Sequence, residues 1–409
     1  VKSNKPSLLF IFLTVLIDMM GIGIIIPIMP DLILDLTGKS VSEAAVIGGL
    51  LLSSYAIFQF FFSPVLGEIS DRYGRKPLLL LGLFGLGLDY LISAFAPTIG
   101  WLFFGRCLAG FFGASHTVAM AYVADISTKE DKAKNYGIIG AAFGLGFVLG
   151  PVIGGLIGAE WGTRAPFIAA ACFSFMNFIF GLFFVSESLP IERRRKINFA
   201  KMIPFVSLGY LRKYKAVLGF ILALALVQFA GQVMPTTWTF FTKTNFEWSV
   251  KDIGLSLMFV GLLVSAVQAG LTGFLVKKYG NKRVIISGFI LYTIGMLAIS
   301  FSTSSIYLYL ACVPYILGGI AGPTVQGLVS NNVSELEQGN LQGVLTSLTS
   351  LAAIIAPLVF TPIFSFYTSK TNEVYFPGAP FLLGGFILVL ATLVAAFSLK
   401  SLKQPIKDN

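Results

Sequence analysis

The chain has 409 residues, 56% of them apolar and 14% aromatic, with only 12% charged and a mean hydropathy of +0.84. A water-facing globule does not carry so apolar a composition, so the chain reads as an integral membrane protein. Its formal net charge of +10 raises nucleic acid and acidic lipid as partners until the placement of the Lys and Arg residues is known.

Apolar runs of about twenty residues, each long enough to cross a roughly 30 Å hydrocarbon core as a helix, recur along the sequence. Twelve are expected. The first, 8 to 30, holds Asp18 within LIDMMGIGIIIPIMP. It is too long for a secretory signal and lacks a small-residue cleavage site, so it reads as a retained helix. The second, 44 to 66, contains Gln59 and runs into the charged decapeptide GEISDRYGRK at 67 to 76. The third, 77 to 95, carries Asp89, and the fourth, 99 to 122, carries Arg106 and the sole histidine, His116. In the fifth, 135 to 158, Gly146, Gly150, Gly154 and Gly158 stand at successive i+4 positions. They form a side-chain-free stripe that lets another helix approach closely, and Pro151 is able to kink the helix. The sixth is 165 to 185. After a polar interval come 216 to 241 with Gln228 and Gln232, then 252 to 276, 282 to 301, 305 to 329 with Gln326, 340 to 365, and 378 to 399.

The longest polar interval, 186 to 215, divides the chain into six spans and six, with 1–185 as one bundle, 186–215 as the linker and 216–409 as the second bundle. The halves repeat one another. GEISDRYGRK matches GFLVKKYGNK (273 to 282) at an offset of 206, and Gly150-Pro151 matches Ala356-Pro357 at the same offset. LAGFFGA (108 to 114) resembles LGGIAGP (317 to 323) at an offset of 209. A near-constant offset indicates a duplicated six-helix unit, all-α with parallel repeats, as in transporters that rock two halves about a central site.

With both termini on one side, the opposite side holds Lys39, Arg164, Lys243, Lys251 and Lys370, Arg106 lies inside a helix, and the other 23 of the 29 Lys and Arg residues fall together. The positive-inside rule then places both termini in the cytoplasm, and the basic balance reads as topology rather than as a nucleic-acid footprint.

Asp18, Asp89 and Arg106 lie well inside spans, where each charge costs roughly 2.5 to 3.5 kcal/mol at the bilayer centre. Such residues require partners or a watered cavity; a structural ion pair is the plain alternative to a functional one. Burial and a nearby cation pull the proton occupancy of a carboxyl in opposite directions, so the occupancy of Asp18 can alternate as its surroundings change. Asp89 fits either a counter-ion of Arg106 or a second proton site. His116 fits a structural hydrogen bond better than a relay. Gln59, Gln228, Gln232 and Gln326, with His116, are candidates for a cargo cavity. The three cysteines lie in spans without metal or disulfide spacing. No nucleophile and base pair, metal cluster or phosphate loop occurs, so no enzyme and no cofactor are expected.

GEISDRYGRK resembles the GxLxDRxGRR loop signature of the major facilitator superfamily, with Gly67 and Gly74 as turn positions. The resemblance implies a cytoplasmic latch in which Asp71 faces a helix N-terminus and Arg72 and Arg75 pair with acid, here Asp125. GIIGAAFGLGFVLGPVIGG (137 to 155) resembles the antiporter motif of proton-coupled drug exporters, carried by Gly146, Gly150, Pro151, Gly154 and Gly155. RCLAGFFGA (106 to 114) resembles their fourth-helix motif, whose intramembrane Arg is associated with proton coupling. These signatures, together with YAIFQFFFSPVLGEISDRYGRKP, YVADIS and GNLQGVLTSL (339 to 348), are similar to the tetracycline exporter group. That group typically carries a His in helix 8 and an Asp in helix 9, where this chain reads GLLVSAVQAG with Val264 and GFILYTIG with Tyr292. The departure bears on the cargo, and on metal-chelate exchange in particular.

The resemblance implies a proton-coupled antiporter, multi-pass in a bacterial inner membrane, exporting an amphiphilic drug or antibiotic by alternating access. Protons, a small-molecule cargo and lipid are its expected partners, nucleic acid is not, and a monomer is expected. The alternative is a dedicated exporter of a self-made metabolite such as a siderophore. A sensor on the same scaffold would bind ligand without flux.

Overall fold

In the computed structural model the described residues are 5–113, 115–128, 131–197, 199–214, 217–334 and 337–401, and no strand occurs among them. The first helices are α1 (Lys5–Ile25), α2 (Met29–Thr37), α3 (Val41–Tyr73), α4 (Arg75–Ala94), α5 (Ile99–Gly113), α6 (Ser115–Ile126), α7 (Lys132–Trp161) and α8 (Ala165–Phe184). After short 3₁₀ turns in the linker follow α9 (Leu218–Gly231), α10 (Val233–Phe246), α11 (Val250–Ala266), α12 (Thr272–Ser300), α13 (Ser305–Gly318), α14 (Ala321–Asn331), α15 (Gln338–Thr368) and α16 (Ala379–Ser401). Helix is what this sequence requires, because in hydrocarbon each backbone N–H and C=O must be satisfied within its own segment.

Among the described residues, eleven helical stretches are long and apolar enough to cross a membrane, against the twelve expected. The eighth expected span, 252 to 276, is the divided one. It is made of α11, a π-helical turn at Val267–Leu271 and the start of α12. Hydropathy does not register a change in helical pitch, so the sequence reads as one run. Within α12, Gly280 (φ 75°, ψ 158°) marks a break that apolar periodicity also misses. The first expected span is shorter than its apolar run: α1 stops at Ile25, and α2 opens with Pro30 in its first turn.

Two compact units make up the chain. The first comprises 1–40, 51–204 and 249–258; the second comprises 41–50, 205–248 and 259–409. The ends of α3 and α11 are thus exchanged relative to a division at the linker. In the first unit, buried Phe10, Ile11, Val15, Leu79, Leu83, Val118, Tyr122 and Ala142 form one apolar core. In the second, Trp238, Phe241 and Phe381 pack together, with ring centroids 5.0 Å apart for the two phenylalanines.

Candidate functional site

Three helices of the first unit converge on the intramembrane charges. Asp89 on α4 is fully buried and Arg106 on α5 is 8% exposed; the Arg106 guanidinium forms an ion pair with the Asp89 carboxylate. Ser93, one turn along α4, donates to the other Asp89 oxygen at 3.4 Å. The glycines of α5 make this approach possible. A Cβ at Gly105 would lie 2.7 Å from Asp89 Oδ1, and one at Gly113 would lie 2.9 Å from the Tyr55 hydroxyl.

Asp18 on α1 is 7% exposed, and its Oδ1 has no hydrogen-bond partner among the described residues. Asp18, Asp89, Arg106, Tyr55 and Tyr90 line one cavity of about 20 Å³, room for a single water. Gln59 lies just outside it, its Nε2 donating to the Tyr55 hydroxyl at 3.0 Å. The arrangement sets two carboxyls around one guanidinium in a space too small for bulk water. A buried charge left alone there is expensive, so a proton and the Arg106 side chain are the two means of neutralising a carboxylate. His116 falls on α6, and its side chain lies outside the described residues.

At the opposite end of α4, the charged decapeptide is a tight turn. Gly74 has φ 108° and ψ 161°, a region that side-chain-bearing residues do not populate without strain. Gly67, expected at a turn, instead lies inside α3, because the helix continues unbroken to Tyr73 and only Gly74 reverses it. Arg75 holds the turn: it pairs with Asp71 at 2.5 Å, with Asp125 at 3.1 Å, and donates to Ser70 Oγ. Arg72 is exposed over the Tyr73 ring.

The carboxylate at the start of α4 is that of Glu187, which accepts from the backbone N–H groups of Arg75 (2.8 Å) and Lys76 (3.2 Å). These are unsatisfied donors of a first helical turn, and a negative charge there is favoured. Ser188 and Leu189 donate to the same carboxylate, Ser188 Oγ donates to Asp125 at 3.2 Å, and Arg195 N–H donates to the Asp71 carbonyl at 3.0 Å. No local pattern marks Glu187, since its partners on α4 are over one hundred residues away; the hint is an acid just after the sixth span.

The glycine stripe of α7 faces two neighbours. A Cβ at Gly146 would lie 2.5 Å from Leu16 O, and at Gly150 2.5 Å from Met20 O and 2.8 Å from Gly23 Cα. At Gly155 it would lie 3.0 Å from Val250 O and 3.3 Å from Gly254 Cα, and at Gly154 it would collide with Ile24 O. Pro151 packs against Gly23 and Gly254. The stripe thus brings α1, and with it Asp18, to backbone contact with α7.

The second unit contains a cavity of about 440 Å³ lined by Gln228, Gln268, Gln326, Gln342, Thr349 and Tyr292 among others. Gln228 donates to Thr349 at 3.0 Å and Gln326 to Gln342 at 3.4 Å. Tyr292 stands edge-on to Tyr315 with ring centroids 4.8 Å apart. Gln232 is elsewhere, at the junction of α9 and α10, where its carbonyl accepts from Thr236. Gln342 and Thr349 went unnoticed in the sequence because a polar residue in a span does not declare which way it faces.

A family model for the Major Facilitator Superfamily matches residues 11–357 and 239–408. The chain is 39% identical over 371 residues to the tetracycline resistance protein, class C, of Escherichia coli, covering 91% of this chain and 92% of that one. It is 30% identical over 399 residues to multidrug resistance protein 2 of Bacillus subtilis (strain 168), covering 95% and 94%. Among solved structures, a bacterial homolog to the human lysosomal transporter Spinster, inward-facing and occupied, superposes with a TM-score of 0.82 at 16% identity, covering 100% of this chain and 99% of that one. That likeness shows the fold alone. Helices, repeats and matches agree that the chain belongs to the Major Facilitator Superfamily and is a multi-pass membrane protein.

Proposed function

We propose that the protein is a proton-coupled antiporter that exports an amphiphilic small molecule, with tetracycline as the first cargo to test. The observation that carries this reading is Asp18: a buried carboxyl with an unpartnered oxygen, on the same water-sized cavity as the Asp89–Arg106 pair. A proton arriving on Asp89 removes the charge that holds Arg106, which is then free to turn toward Asp18 across the shared cavity. Passage of the proton to Asp18 restores the pair, so in either state the ionised carboxyl is the one that holds Arg106 and the other is neutral. Two carboxyls competing for one guanidinium and one proton make two charge-balanced states, and a cargo that binds one state better shifts the balance. Resistance proteins for tetracycline and for multiple drugs among the relatives support export of a drug-like cargo.

The distribution of Lys and Arg supports cytoplasmic termini, and the bacterial resistance proteins among the relatives support insertion in a bacterial inner membrane. One chain is taken as the working unit. The test is accumulation of tetracycline in inside-out vesicles under an imposed proton gradient. Wild type is expected to accumulate it and Asp18→Asn, folded and inserted, to fail; gradient-driven accumulation surviving in the variant removes Asp18 from coupling.

A further inference from the structure

The second unit's cavity is polar without being charged. Four glutamines, Gln228, Gln268, Gln326 and Gln342, converge on about 440 Å³, and no Asp, Glu, Lys, Arg or His side chain is among the described residues lining it. Gln268 stands on the π-helical turn Val267–Leu271. Such a turn gives up good i→i−4 hydrogen bonds to re-aim one side chain, and it is frequent at functional sites. The Gln268 amide makes no hydrogen bond to another described residue. Gln228 and Gln326 each commit one N–H, to Thr349 and to Gln342. An amide carries two N–H donors and a two-lone-pair acceptor, so most of the quartet's capacity faces the cavity.

We propose that this cavity recognises an uncharged hydrogen-bonding face of the cargo, through amide-to-amide, amide-to-hydroxyl or amide-to-oxide bonds, and discriminates against a fixed charge. The proposal rests on the reading of the protein as an exporter. Its physical basis is asymmetric. A polar neutral group entering the cavity exchanges water for glutamine at little cost, because an amide can donate or accept. The four glutamines are exposed, so the cavity is open to water; a fixed charge that seats among them gives up part of its hydration and meets no opposite charge, which four dipoles do not replace.

A matched pair of probes isolates charge from size: triphenylphosphine oxide, neutral with one strong acceptor, and methyltriphenylphosphonium, a permanent cation with the same three rings. Binding of each to the full chain in nanodiscs is measured by equilibrium dialysis without any gradient. The oxide is expected to bind about tenfold more tightly than the phosphonium. Gln268→Ala is expected to weaken the oxide about fivefold and leave the phosphonium unchanged. Gln268→Glu is expected to reverse the preference, and Gln342→Glu, on another helix, to do the same should the first variant not fold. Equal or tighter binding of the phosphonium by wild type, no detectable binding of the oxide, or indifference of the oxide to Gln268→Ala overturns the proposal. Because dialysis needs no gradient, binding as described without proton-driven accumulation would refute the antiport reading and leave this one standing.

Discussion

The two units share a turn and differ in what surrounds it. Gly74 and Gly280 lie 206 residues apart, at matching positions of the repeat, and adopt nearly the same backbone conformation (φ 108°, ψ 161° and φ 75°, ψ 158°). In the first unit the turn is tied by Asp71, Arg75, Asp125 and Glu187. In the second, Lys277 and Asn281 stand where Asp71 and Arg75 would be, and Lys278 sits over the Phe274 and Tyr279 rings. The same contrast recurs at membrane depth, where the first unit buries two carboxyls and a guanidinium and the second offers amides and phenols. Both copies keep the backbone device that reverses the chain, while the carboxylates that tie the turn stand at the first copy and lysines and an asparagine take the matching positions of the second. Fold and charge are separable here: the glycine is required by geometry at both turns, and the carboxylate ion pairs accompany it at one of them.

The contrast can be broken in order of expected effect. Asp89→Ala removes the partner that Arg106 holds in the structure. Since Asp18 on the same cavity is the carboxyl left to it, a cost of about 3 kcal/mol is expected, read as a fall in folded yield and thermal stability, with a larger fall in the Asp18→Asn, Asp89→Ala double variant. Gln268→Ala in the second unit removes no buried charge and is expected to leave folded yield at the wild-type level. Gly150→Ala places a methyl against Met20 O and Gly23 Cα, and a loss of about 1–3 kcal/mol is expected in a thermal melt. Gly140→Ala, on the same helix with open space around it, is expected to be neutral.

Replacing the two turn glycines compares the copies directly. Gly74→Ala and Gly280→Ala each force a Cβ into a conformation that costs about 1–3 kcal/mol. Gly74→Ala is expected to be the worse, since its Cβ would fall on the Glu187 carboxylate. The smallest loss expected is that of Glu187→Gln, which keeps the shape but removes the negative charge from the start of α4. A loss of about 0.3–1 kcal/mol is expected, with no counterpart to remove in the second unit.

What the sequence made legible was whatever repeats locally. Apolar runs located the helices, the charged decapeptide located Gly74, and the glycine spacing of α7 anticipated a close-packed face because i+4 positions lie on one side of any helix. The intramembrane charges were visible because they are rare at that depth. Their grouping was not: Asp18, Asp89 and Arg106 belong to three helices, and only packing sets them on one cavity. Glu187 and Gln342 were hidden for the same reason, since each acts on residues distant in sequence. The break at the eighth span was hidden because a π turn changes pitch without changing hydropathy.

In the proposed mechanism, coupling resides in the first unit's charges and not in cargo binding. Tetracycline counterflow and gradient-driven accumulation, measured side by side in vesicles bearing Asp18→Asn, test it most directly. Counterflow is expected to remain at the wild-type rate while accumulation against the gradient disappears. Accumulation persisting, or both activities vanishing from a variant that is folded and inserted, would contradict it.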